Sequence, residues 1–212
     1  MRLIDSEIKQ ILLATTNKAK LEELMLGTKP LINLGIEIIT LKDLKIPQGP
    51  EETGKTFEEN SKLKAQFYGN LTGLPTIADD GGLLIPYLNN EPGVKSSRWL
   101  GREATDQELI DYTLLRLQKT KNTDRIAYLQ TCLCFFSPKD EQLIFETEKI
   151  KGQIAQKSSD RPTHGYPYRA LFIVEQYQKY YDELTETEHQ EINHRIKALN
   201  RLIRKISNTL IK

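Results

Sequence analysis

An apolar strand, Leu74-Pro75-Thr76-Ile77, runs directly into two adjacent carboxylates and two glycines, Ala78-Asp79-Asp80-Gly81-Gly82, and this restricts the chain more than any other feature. The glycines open the backbone just after the acids, so the pair is expected at the carboxyl end of a buried strand. Open α/β sheets place their ligand sites at such ends. Side chains alternate along a strand, so one carboxylate is expected to enter a cleft and its neighbour to be held by local backbone or solvent. Taken alone, the same residues also fit an Asp-Gly turn between two strands.

The rest of the chain supplies the sheet. Residues 8–15 are an apolar run followed by Thr16-Asn17 and then by good helix formers over 18–25, which predicts a strand, a polar turn and a helix. A second strand is expected over 35–41 and a Pro/Gly/acid loop over 43–55. Thr56-Phe57-Glu58-Glu59 reads as a capping box opening a helix to about residue 68. A loop over 88–102 leads to a second box, Thr105 to Glu108, and a helix to about residue 119. Strand patterns over 125–136 and 142–150 predict a hairpin around Ser137-Pro138-Lys139-Asp140, and 158–168 is irregular. A third box, Thr185 to Glu188, is expected to open one long terminal helix with its apolar stripe at Ile192, Ile196, Leu199, Ile203 and Ile206. Strands and helices do not strictly alternate. The fold class is therefore α/β with a mixed sheet, in one domain over 1–212.

Composition narrows the partners. Thirty Lys+Arg against 29 Asp+Glu leave a formal charge of +1, so no global field points to nucleic acid or a membrane surface, and any phosphate site must be local. No signal pattern opens the chain and no apolar stretch reaches the roughly 18 residues of a membrane span, so a cytoplasmic protein is expected. Cys132 and Cys134 stand two apart on one expected strand face, with too few ligands nearby for zinc, and are expected as reduced core thiols.

Two further segments carry chemistry. The turn Ala14-Thr15-Thr16-Asn17-Lys18-Ala19-Lys20 sets hydroxyls, an amide and two lysines at a helix N-terminus, where orphan N–H groups and the helix dipole attract anions. It lacks the glycines and Gly-Lys-Ser/Thr pair of a Walker loop, and an ordinary N-cap with solvated lysines is its plainer meaning. Glu51 and Glu52 lie in the acidic loop; with Asp80 and a phosphate turn they form an oxygen donor set suited to Mg²⁺. Glu59, Asn60 and Lys64 follow on the next helix, where capping already accounts for Glu59.

Taken in order, ATTNKAK, EETGKTFEENSKLKA, IADDGGL, EPGVKSSRW and a late His-Arg pair before an apolar helix resemble the inosine triphosphate pyrophosphatase family, also called the Ham1 or non-canonical purine nucleoside triphosphatase family. The likeness runs from about residue 10 to 200. It implies an elongated mixed sheet flanked by helices, two lobes around a central nucleotide cleft, a homodimer, and Mg²⁺-dependent hydrolysis of inosine, xanthosine and deoxyinosine triphosphates to the monophosphate and pyrophosphate. By that resemblance the turn residues Thr15, Thr16, Asn17 and Lys20 hold the triphosphate, Asp80 is base and metal ligand, and Glu51 or Glu52 shares the metal. Gly81 replaces the family's usual serine, losing a hydroxyl while keeping a backbone N–H. The base-binding third departs further. The family's GFGYDP corresponds to Gly165-Tyr166-Pro167-Tyr168-Arg169-Ala170, its lysine to His189, and its Ser-His-Arg to Asn193-His194-Arg195. Tyr166 or Tyr168 is expected to stack on a base and Arg195 to donate to a purine 6-keto oxygen. The rivals are a diverged enzyme for another nucleotide and a nucleotide-binding relative without catalysis.

Overall fold

In the computed structural model, which describes residues 9–163 and 165–210, the first apolar run forms strand β1 (Lys9–Ala14) and the helix formers after it form α1 (Lys18–Leu26). The expected strand start at Ile8 lies outside the described residues. A short helix α2 (Lys29–Asn33) leads to β2 (Ile36–Thr40), and α3 (Phe57–Thr72) precedes β3 (Thr76–Ile85). The two-residue strand β4 (Glu91–Pro92), helix α4 (Asp106–Arg116) and the long hairpin β5 (Ile126–Ser137) and β6 (Gln142–Ile154) follow. Strands β7 (Phe172–Val174) and β8 (Lys179–Tyr180) and helices α5 (Glu186–Ile192) and α6 (His194–Leu210) complete the chain.

The eight strands form one open sheet in the order β2-β1-β3-β5-β6-β7-β8, with β4 beside β3. Strand β1 pairs in parallel with both β2 and β3, and the remaining pairings are antiparallel. The sheet is therefore mixed, as expected. The core divides along the long strands. At one end Leu13, Ile77, Leu133 and Phe135 pack against Leu199, Leu202 and Ile206 of α6, while Ala78, Cys134 and Phe136 pack on the opposite face with Ala65 and Tyr68 of α3. At the other end Leu83, Ile85, Leu129 and Ile150 pack with Leu109 of α4, Tyr168 and Phe172. These two ends are the two lobes. Cys132 and Cys134 are free and buried on one strand face, and burial raises both thiol pKa values.

Three expectations are corrected. Asp79 and Asp80 are not at the end of their strand: β3 continues through Gly81-Gly82 to Ile85, because β5 pairs with it from Thr76 to Leu84. The terminal helix is two helices, since Asn193 takes an extended conformation (φ −54°, ψ 110°) and its Oδ1 accepts the Ile196 N–H at 3.0 Å, starting α6 anew. Ile192 accordingly packs in a different cluster from Leu199, Ile203 and Ile206. The boxes at Thr105 and Thr185 are complete, but at Thr56 only half forms, because the Glu59 carboxylate accepts from Lys55 N instead. Among the described residues no helix is long and apolar enough to cross a membrane.

Candidate active site

The site forms where β3 is left without a neighbour on one side. Strand β1 ends at Ala14, opposite Ala78, and β4 does not begin to pair until Leu84. Between them Asp79 to Leu83 keep β5 on one edge and face the turn after β1 on the other. A cavity of about 500 Å³ opens there, lined by Thr15, Thr16, Asn17, Lys20, Glu51, Glu52, Lys64, Asp80, Gly81 and, farther along, Tyr166, Tyr168, Arg169, His194 and Arg195. Its size is that of a small-molecule site.

Strand alternation sends the two acids to opposite faces, with Lys20 between them, 3.1 Å from Asp79 and 4.0 Å from Asp80. Asp79 is fully buried. Its Oδ2 lies 3.1 Å from Lys20 Nζ and 3.2 Å from Arg195 Nε, and its Oδ1 accepts from the Thr131 hydroxyl. Side chains of α1, α6 and β5 therefore hold it, which corrects the expectation of local backbone or solvent. Burial alone would raise its pKa, but Lys20 and Arg195 outweigh that and keep it strongly depressed. Asp80 turns toward α3, where Asn60 Nδ2 donates to its Oδ2 at 3.1 Å and Lys64 Nζ lies 3.3 Å from Oδ1. Its pKa is raised, chiefly by burial and against the pull of Lys64 and Lys20.

Lys64 also reaches Glu52 at 2.8 Å, and Arg98 approaches the other Glu52 oxygen at 3.7 Å. Desolvation opposes the charged Lys64, yet Asp80 and Glu52 raise its pKa. Glu51 is exposed at the cavity wall. Asn60 joins the acidic loop to the diacid, accepting from Gly54 N at 2.8 Å on one side while donating to Asp80 on the other. The i, i+4 spacing of Asn60 and Lys64 puts both on the helix face toward β3. Their chemistry was legible only as helix residues near an acidic loop.

The turn after β1 is built as the N-terminus of α1. Asn17 is its N-cap, accepting from Lys20 N at 3.0 Å, and Thr15 Oγ1 accepts from Asn17 N at 3.2 Å. Lys20 is not a solvated lysine: its side chain is 15% exposed and paired with Asp79. The two glycines follow close approaches. A Cβ on Gly82 would lie 2.0 Å from Ser96 Oγ, the hydroxyl that ties the loop after β4 to Leu83 N. A Cβ on Gly81 would lie 2.3 Å from the carbonyl oxygen of Gln130 on β5. Restoring serine there is thus expected to force two paired strands apart, and Gly81→Ser should lower stability by about 1–3 kcal/mol, read as the denaturation midpoint. A midpoint equal to wild type would show that β5 yields freely.

The far end of the cleft is organised by a residue that sequence reading missed. Glu23 on α1 is 5% exposed and gathers Arg169, Arg195, Asn193 and Tyr166 around its carboxylate. Desolvation opposes its charge, but Arg169 and Arg195 prevail and hold its pKa down to about 2. Nothing in the helical pair Glu22-Glu23 signals this, because every partner lies more than a hundred residues away. Arg195 is engaged through Nε and Nη1 with Asp79 and Glu23, so it is first a structural cation linking α6 to α1 and β3. His194 lines the cavity, and burial pushes its pKa well below the usual imidazole range. His189 does not line the cavity: its Nε2 lies 3.5 Å from Glu23 and its ring packs edge-on against Tyr181. Tyr168 lines the cavity but is largely buried in the core, its hydroxyl donated to Ser96 O at 2.5 Å, whereas Tyr166 lines it with the Arg169 guanidinium over its ring.

Fold and site together define a mixed-sheet α/β protein in which a helix N-terminus faces a cluster of carboxylates and lysines across one cleft. The comparison with known proteins makes this specific. The chain belongs to the Ham1 family, whose model matches residues 11–205. It is 37% identical over 197 residues to a dITP/XTP pyrophosphatase of Leptospira interrogans, covering 92% of this chain and 96% of the relative. It is 36% identical over 199 residues to a dITP/XTP pyrophosphatase of Haemophilus influenzae, covering 93% and 99%. Among solved structures it is similar to a HAM1 protein from Coxiella burnetii, with a TM-score of 0.82 at 33% identity over 94% of this chain and 99% of the other. The Staphylococcus aureus Ham1 protein gives 0.81 at 29% identity, covering 95% and 100%.

Proposed function

We propose that the protein hydrolyses non-canonical purine nucleoside triphosphates, those of inosine, deoxyinosine and xanthosine, to the monophosphate and pyrophosphate. The observation that carries this reading is the meeting of Lys20 and Lys64 at one oxygen: both ammonium groups lie within 4.0 Å of Asp80 Oδ1, beside the N-terminus of α1. A carboxylate so placed faces the phosphate-binding turn with positive charge on either side. The dITP/XTP pyrophosphatase relatives, aligned over nearly the whole chain, support the substrate class.

In the proposed reaction Lys20 and the free N–H groups of the first turn of α1 bind the triphosphate and neutralise charge that develops on it. Asn60 orients Asp80 through Oδ2, and Asp80 accepts the proton of the attacking water. Lys64 keeps Asp80 and Glu52 close together despite their like charges. Glu52 and Asp80, with Glu51 at the rim, are the residues that would hold Mg²⁺. Among the described residues no three such ligands converge, and the fit rests on the two carboxylates that the Lys64 ammonium bridges, since Mg²⁺ takes one or two carboxylates and fills its shell with water and substrate phosphates. When bound, the ion supplies neutralisation of phosphate charge and polarisation of the bond that breaks. The cytoplasm, expected from the sequence pattern, and a homodimer, implied by the family resemblance, are the proposed setting, the latter checked by light scattering of the purified protein.

The direct test is a turnover panel of purine and pyrimidine nucleoside triphosphates with Mg²⁺, scoring pyrophosphate against orthophosphate. Pyrophosphate from the inosine and xanthosine substrates is expected, and orthophosphate alone would overturn the reading. Lys20→Ala is expected to weaken inhibition by inorganic triphosphate about tenfold to a hundredfold, the loss of one charge-assisted contact, while nucleoside binding holds. Unchanged affinity for inorganic triphosphate would remove Lys20 from the phosphate site.

A further inference from the structure

The base end of the cleft holds guanidinium N–H groups that its acids do not engage, and its buried acid has no acceptor left for a ligand. Glu23 Oε1 accepts from Arg169 Nη2 at 2.5 Å and Asn193 Nδ2 at 2.8 Å, and Oε2 accepts from Arg195 Nη1 at 2.9 Å and Tyr166 Oη at 3.3 Å. A carboxylate offers about four lone-pair positions, so this one is full. Glu23 and Asp79 pair with Arg169, Arg195 and Lys20, and Lys20 also lies 4.0 Å from Asp80 Oδ1. The other acid on that side, Asp106, has its Oδ2 taken by Thr163 and Gly165 N.

Arg169 cannot retire from this end. Its guanidinium carbon lies 3.4 Å from the ring centroid of Tyr166 and 4.7 Å from that of Tyr181, a clamp between two aromatic rings, while the residue still lines the cavity. Among the described residues only its Nη2 finds a protein acceptor, and Arg195 uses Nε and Nη1, leaving Nη2. His194 Nδ1 is buried beside them without a partner among the described residues. An adenine amino group would bring another donor to these guanidinium groups. Hypoxanthine offers them one oxo group. Xanthine offers two, and its second oxo group makes the ring acidic enough to carry negative charge near neutral pH.

We propose that the base end of the cleft selects a two-oxo purine, a xanthine base, over hypoxanthine, and that Arg169 is the residue that sets this preference. The proposal rests on the reading of the cleft as a purine nucleotide site and goes beyond it by ranking the substrates. The test is calorimetric binding of xanthosine and inosine monophosphates to the full-length protein, beside the catalytic efficiencies for the two triphosphates. Wild type should bind the xanthosine nucleotide about tenfold tighter or more, and Arg169→Gln should bring the two within about threefold by weakening the xanthosine nucleotide alone. Arg169→Lys, which keeps the charge and the reach to Glu23, should retain part of the preference, and a thermal melt of each variant reports folding. A wild-type ratio near one, or a preference undiminished in folded Arg169→Gln, overturns the proposal, and the wild-type ratio decides even where both variants fail to fold. A protein that prefers the xanthosine nucleotide yet releases no pyrophosphate from either triphosphate would instead overturn the hydrolase and leave base selection standing.

Discussion

Asp80→Asn is expected to reduce pyrophosphate release by about 10²-fold or more while the protein stays folded. The amide is nearly the same shape, but it cannot take a proton from water and is a poor ligand for a hard cation. Its orientation is also compromised. Asn60 Nδ2 donates to one Asp80 oxygen and Lys64 Nζ lies against the other, so an amide presents its NH₂ to a donor whichever way it turns. Lys64 keeps Glu52 as its partner, which limits the structural damage. Initial rates and a denaturation midpoint, measured together, check both halves. A folded variant with near-wild-type rates would exclude Asp80 as the base.

Arg195→Ala is expected to be the most destabilising single change at the site, by about 3–5 kcal/mol, because it removes a buried partner from two carboxylates at once. Glu23 would keep Arg169 and Asn193, and Asp79 would keep Lys20 and Thr131, but each would stay buried with its charge less well matched. This changes what the variant reports. The sequence expectation makes Arg195 chiefly a donor to the purine 6-keto oxygen, whereas two of its nitrogens hold the fold together. The same pairing predicts an acid limb. Glu23 is held at about 2 in the folded protein, below the ordinary 4.5, so the unfolded chain binds more protons between those values and stability rises with pH across them. The contribution is complete above about pH 4.5 and is lost as pH falls toward about 2. In Arg195→Ala that limb should move upward, as seen in denaturant midpoints across acid pH. A loss under about 1 kcal/mol with an unmoved limb would place Arg195 outside the buried network.

How much of this was legible follows from which signals are local. The turn at Thr15 to Lys20 and the helix it opens are written in adjacent residues, and the structure keeps them as read, with Asn17 as the cap. The hairpin over β5 and β6 was visible from its alternation, and the mixed sheet from irregular strand and helix order. What failed depended on distant partners. Gly81-Gly82 looks like a strand end until β5 pairs across it and Ser96 fills the space beside it. The apolar stripe from Ile192 to Ile206 ran unbroken on paper, but Asn193 turns out of the helix to reach Glu23 and to cap α6. Glu23 itself, an ordinary helix acid by every local rule, becomes the centre of the base end only because α1, the segment before β7 and the start of α6 converge on it. Arg169 stands where the family's GFGYDP carries an aspartate, which reads as a reversed charge. Beside Glu23 it is a paired one.

The central claim is that this cleft splits a nucleoside triphosphate between its α- and β-phosphates with Asp80 as base. The most direct measurement is the stoichiometry of products from inosine and xanthosine triphosphates, taken for wild type and Asp80→Asn under the same conditions with Mg²⁺. The account predicts equal amounts of monophosphate and pyrophosphate from the wild-type protein and a deep loss of both together in the variant. Diphosphate with orthophosphate, or products that persist undiminished in Asp80→Asn, would contradict it.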